Sequence, residues 1–145
     1  MHPAVKFAVS FAAFAILLVA PRGSQAQITN PIAANIHHSF IVGNTTLPPG
    51  HYTFRMIPQT EHAAMIVTSA DGGTATEFLV RDSLADHTPK HTELVFNRYG
   101  NKELLTHIYE VGTKSGVAVM EASRAEERLK KQGQSATSHT EEQKK

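Results

Sequence analysis

The chain carries two hydropathy patterns. Phe7 to Ala20 is an almost unbroken apolar run, and from Ile36 onward apolar positions recur with a period of two. The first pattern is the centre of a secretory leader. Lys6 gives a positive start, Pro21 and Arg22 close the run, and Ser24-Gln25-Ala26 offers small residues where a signal peptidase reads. A membrane anchor is the rival reading, but a spanning helix needs about 20 apolar residues and this run is shorter. No cysteine follows it, which excludes lipid attachment through a thiol. Residues 1–26 are therefore expected to be removed on export. The mature protein is expected to be secreted or periplasmic, with no membrane insertion after cleavage and residues 27–35 as a linker.

The second pattern predicts strands. Ile36, His38, Phe40 and Val42 would share one face of the first. Further strands are expected over residues 51–57, 63–69, 74–81, 91–98, 102–111 and 117–121. Pro49-Gly50 suits a type II turn, Asp71-Gly72-Gly73 a tight hairpin, and Tyr99-Gly100-Asn101 another turn. Asp82 to Lys90 reads as a polar loop. Tyr52, Phe54, Phe78, Leu94, Phe96, Leu105 and Ile108 are the expected inward residues. The fold class is all-β, an antiparallel sandwich or small barrel of about seven strands. A short C-terminal helix follows. Ser123 and Glu126 fit a capping box, Gly133 a stop, and Ala125 and Leu129 the apolar side. Residues 134–145 are polar and read as a disordered tail whose removal would leave stability almost unchanged. One β-domain over residues 36–133 is the result.

Composition narrows the chemistry. There are no cysteines, so an exported domain must hold itself by pairing and burial, and thiol catalysis and thiolate metal sites are excluded. Without the leader, twelve basic side chains face thirteen acidic ones. That near balance gives no electrostatic footprint for nucleic acid or an anionic membrane. Eight histidines beyond the leader are the one compositional oddity.

His87 and His91 are four apart, but Pro89 forbids the helix that would aim both at one ion. His51 and His62 could meet across a hairpin. These four are the weak metal candidates, since a zinc site needs three or four converging ligands. His37 and His38 point to opposite faces of a strand, with His38 the histidine expected to be buried. Scattered surface histidines, or a pH response, explain the count as well. Nucleophilic chemistry has less support. No Gly-x-Ser-x-Gly elbow is present, and Ser83, Asp82, Asp86 and His87 share one loop of solvated polar groups. Asn44-Thr45-Thr46 matches a glycosylation acceptor. Arg98-Tyr99-Gly100 could present an Arg and a Tyr to a ligand, but reads better as a turn whose Tyr covers the sheet end. No catalytic residue and no cofactor is assigned.

Phe40-x-Val42-Gly43 with Leu47-Pro48-Pro49-Gly50-x-Tyr52 resembles an FxVGxxxLPAGxY opening. Leu94 to Gly100 resembles LxFxRYG, Leu104 to Gly112 resembles FLxxVWxxG, and Ser123 to Glu126 resembles SxAE. Together these segments resemble a family of small exported bacterial proteins of uncharacterised function. The likeness spans Ile36 to Leu129 and implies a fold but no catalytic residues. The chain departs from it at His37-His38, where Pro-Phe is expected, and at Glu103-Leu104, where two aromatics are expected.

The expected function is non-enzymatic: a binding or structural module of the periplasm or cell envelope. Its partner would be an envelope or extracellular protein, or a small ligand. The alternative is a histidine-based metal- or ligand-binding protein. The leader makes one measurable claim. Intact mass of the exported protein should correspond to a chain beginning at Gln27. Recovery of the uncut chain in membranes would contradict it.

Overall fold

The computed structural model describes residues 28–144, so the expected leader lies outside the described residues. The rest is mostly strand, with one helix, as the two-residue periodicity requires. The strands are β1 (Ile32–Ile36), β2 (Phe40–Val42), β3 (Thr45–Leu47), β4 (Gly50–Ile57) and β5 (Ala64–Ser69). They continue as β6 (Ala75–Leu84), β7 (Thr92–Tyr99), β8 (Lys102–Tyr109) and β9 (Ser115–Val119). Helix α1 (Met120–Lys131) and β10 (Thr137–Gln143) complete the domain.

β1, β4, β5 and β6 form an antiparallel run. Strand β6 then changes partner. Its first half pairs with β5, and Val80–Leu84 pair with β9. At the hand-over the Leu79 N–H donates to the Glu121 carboxylate at 3.0 and 3.2 Å, which satisfies a donor beside the first turn of α1. The second run is β9, β8, β7 and β10, all antiparallel. The β2–β3 hairpin joins β8 through one parallel pair, Ile41 with Leu104. Strands β1 and β10 meet where the Asn35 N–H donates to Gln143 Oε1 at 2.8 Å. The sheet therefore curls around one core but closes there by a side chain rather than a ladder.

All seven residues expected inward are buried. Phe40, Tyr52 and Phe96 meet edge to face, with centroids 5.2 and 6.0 Å apart along the chain of contacts. Phe54 and Phe78 do the same at 6.4 Å. The Tyr52 hydroxyl donates to the Pro48 carbonyl at 2.6 Å, fixing the Pro-Pro loop. A second small cluster lies on the outer face of the sheet. Tyr99, Leu104 and Leu129 pack there with Ile41 and Ala125, docking α1.

Several expectations are corrected. Among the described residues there are ten strands, not about seven. Residues 32–36 are not linker but β1, whose alternating burial seats Ile32, Ala34 and Ile36 in the core. The segment 36–42 is not one strand, because the chain leaves β1 after Ile36 and re-enters the sheet at Phe40. Pro49-Gly50 is not a type II turn. Gly50 opens β4 with an ordinary backbone, and the left-handed residue is Gly43, at φ 60° in the β2–β3 turn. Ser123 does not cap the helix, which starts at Met120 with Val119 as its N-cap. Gly133 does stop it. Its φ is 78°, its N–H donates to Lys130, and that of Gln134 donates to Leu129, the paired bonds of a Schellman ending.

The largest correction concerns the C-terminus. Residues 137–143 are not a disordered tail but an antiparallel strand paired to β7 from Thr92 to Arg98. The sequence TSHTEEQ has no apolar residue, so periodicity could not reveal it. Backbone pairing and polar side-chain contacts hold it instead.

Two stability outcomes follow. Phe54→Ala and Phe96→Ala should each cost about 3–5 kcal/mol, because both side chains are wholly buried and leave cavities. A stop after Gly133 should cost more than about 1 kcal/mol, since it strips the β7 edge and uncovers Phe96. Urea unfolding midpoints measure both, and an unchanged midpoint on truncation would show that β10 contributes nothing.

Candidate functional site

The β7–β8 ladder contains an irregularity that arranges the site. Val95 pairs with His107 and Phe96 with Leu105, leaving Thr106 as an extra residue on β8. Its hydroxyl donates to the Val95 carbonyl at 3.1 Å. A bulge resets the alternation of faces. Ile108, Leu105 and Glu103 thereby share the inward side, while Leu104 points out toward α1. Directly paired residues point to the same face, so Leu94, Phe96 and Arg98 of β7 are matched by Glu141, His139 and Thr137 of β10. His38 arrives from the β1–β2 connection.

These placements gather five polar side chains against Phe96 at the rim of the core. His139 Nε2 lies 2.6 Å from Glu103 Oε2, and His38 Nε2 lies 2.6 Å from Glu141 Oε1. Arg98 Nε donates to Glu103 Oε1. The His139 ring stacks on Phe96 at 5.6 Å, and the His38 ring meets Phe96 edge-on at 4.9 Å. The two imidazoles are 5.7 Å apart. One ligand atom each of His38, Glu103 and His139 lies within 4.8 Å of the other two. The Glu103 side chain is only 7% exposed, whereas those of His38, Glu141 and His139 are 25, 21 and 31% exposed. Glu141 Oε2 is buried and has no hydrogen-bond partner among the described residues.

Burial pushes the Glu103 carboxyl upward, but the bonds from His139 and Arg98 together outweigh it and hold the group below the usual range. The neighbouring outer face carries a separate set. The Tyr99 hydroxyl is pushed up to about 12 by burial and by its bond to Glu126, 2.9 Å away. Tyr99 is buried against α1 on the outer face of the sheet.

The four histidines singled out from sequence are not brought together. His51 and His62 sit at the two ends of the β4–β5 hairpin, both exposed. His87 bonds Glu93 at 3.0 Å and Asp86 at 3.4 Å, forming a surface clip over a buried carboxylate rather than a site with His91. Ser83 bonds the Tyr109 hydroxyl at 3.2 Å rather than His87. His38, expected to be buried, is half-buried and finds its polar partner in Glu141. Sequence reasoning missed His139 and Glu141 because both belong to the strand taken for tail.

Three surface cavities of about 580, 290 and 270 Å³ lie elsewhere. The largest is formed by Ile28, Thr29 and residues of β4 and the β4–β5 turn, and the smallest by the Pro48–Tyr52 loop and the Asp71 turn. The middle one lies between α1 and the β2–β3 turn. None is lined by the His38–Glu103–His139 group. No protein-family model matches the chain, and no curated protein or solved structure does either.

Two histidines outside this group have opposite effects on acid stability. Glu93 raises His87 above its ordinary 6.5, through their hydrogen bond and its charge, with Asp86 adding to both effects. Its contribution is fully present below 6.5 and is lost as pH rises through the raised folded value. Burial, and secondarily Arg81, lower His107, while Glu126 opposes them. That contribution is present above 6.5 and is lost as pH falls toward the lowered folded value. Urea midpoints compared across this range should therefore fall for His87→Asn at the acid end only. For His107→Gln the wild-type decline below 6.5 should flatten, and parallel pH profiles for both variants and wild type would contradict the assignment.

Proposed function

We propose that this chain is an exported, non-enzymatic β-domain that recruits a partner by strand addition at its C-terminal edge. The observation that carries the reading is the geometry of β10. It is a seven-residue strand with no buried residue, fully paired to β7 on one side. Among the described residues no strand pairs with its other side. An open edge offers a row of backbone donors and acceptors to an incoming extended segment. Glu142 on β10 is exposed, which suits a partner segment bearing Lys or Arg. The leader-like N-terminus supports export, so the partner would be an envelope or extracellular protein.

Site-specific photocrosslinking in the exporting cell tests this. A crosslinker at Thr140 on β10 should give one defined adduct, and one at Gln59 on the β4–β5 turn should not. Hydrogen exchange of the β10 amides should slow in the adduct. Equal labelling from both positions, or unchanged exchange, would overturn the strand-edge reading.

A further inference from the structure

We propose that His38, Glu103, His139 and Glu141 bind one divalent transition-metal ion, of the zinc class, which clamps β10 onto the domain. The inference goes beyond the strand-edge reading and stands without it. Two imidazoles and two carboxylates are a donor set suited to zinc, with three of them already converged to within 4.8 Å. Zinc–nitrogen and zinc–oxygen bonds of about 2.0–2.2 Å place tetrahedral ligands about 3.4 Å apart. Each of the two His–Glu pairs, now 2.6 Å apart, would open by less than 1 Å to admit the ion, on the order of a side-chain adjustment.

Three details of the present bonding favour a cation. First, the two ring nitrogens of His38 both face acceptors. Nδ1 lies 3.2 Å from the Ser39 carbonyl, and Nε2 faces the Glu141 carboxylate. A neutral imidazole has one N–H and can serve only one of them. With Nδ1–H on the Ser39 carbonyl, the Nε2 lone pair is aimed at Glu141, and an ion between them satisfies both. A backbone carbonyl on the far nitrogen is the usual outer support of a metal-bound histidine. Second, Glu141 Oε2 is buried without a partner among the described residues, a costly state for a carboxylate oxygen that coordination would relieve. Third, Arg98 occupies only Oε1 of Glu103, leaving Oε2 turned toward His139. Arg98 is 55% exposed, so solvent screens its charge, while the two carboxylates balance that of the ion.

Phe96 beneath both rings limits their rotation and keeps water from that side. The four protein ligands come from the β1–β2 link, β8 and β10. A bound ion would therefore tie the last strand to the centre of the sheet, where a cysteine-free chain has no covalent tie. Four protein ligands leave no open position, so the ion's role is structural.

The test is calorimetric titration of zinc chloride into metal-stripped exported protein, with cobalt(II) absorption as the report on geometry. One ion per chain and a tetrahedral cobalt spectrum are expected. Affinity should fall at least about tenfold in Glu141→Gln and about 100-fold in the His38→Asn/His139→Asn pair. Glu141→Gln changes a partly exposed side chain, which guards against loss of the fold. His87→Asn/His91→Asn should bind as wild type. Zinc should also slow protease cleavage within residues 134–144. Absence of binding, binding that survives substitution of the four, or binding lost in the His87/His91 pair would overturn the site. Binding with unchanged cleavage would overturn the clamp.

Discussion

The extra residue at Thr106 is the constraint on which the arrangement depends. Without it, a regular β8 would put Ile108 and Leu105 on opposite faces, and one of them would leave the core. With it, both are buried, Glu103 follows them inward, and Leu104 turns out to receive Leu129 of the helix. The core, the helix dock and the polar group at the rim are thus three consequences of one backbone irregularity. The Thr106 hydroxyl, bonded to the Val95 carbonyl, steadies the point where the ladder shifts.

A second regularity is the use of carboxylates as fasteners between elements. Glu121 on the helix caps the β6 hand-over, Glu126 receives the Tyr99 hydroxyl, Glu93 takes His87, and Glu103 takes Arg98 and His139. Burying a carboxylate is costly unless it is paired and hydrogen-bonded. Each of these is, and Glu93 and Glu103 show how deep such a group can sit when its partners reach it from the surface. Disulfides are another way to tie distant elements, and this chain has no cysteine with which to make one.

Strand β10 shows both principles at work. It contributes no buried residue, yet its register sets His139 over Phe96 and Glu141 beside His38. A strand of this composition gains little from burial, so its docking rests on backbone pairing and on the polar contacts it makes at the rim. Among those contacts, Glu141 bonds His38 of the β1–β2 link.

The sequence by itself determined the all-β class, the inward aromatic and aliphatic positions, the Gly72 and Gly100 turns and the Gly133 helix stop. Each rests on local chemistry: alternation of apolar residues, or a backbone angle that favours glycine. Tertiary structure alone decided the rest. Ile32 to Ile36 is a strand because β4 is there to pair with it, and TSHTEEQ is a strand because β7 presents an open edge. Neither fact is written in the segment's own hydropathy. The bulge that turns Glu103 inward is a relation between two strands, not a property of either. His38, Glu103, His139 and Glu141 are scattered along the chain, and their convergence follows from sheet register, which side-chain spacing along one segment cannot encode.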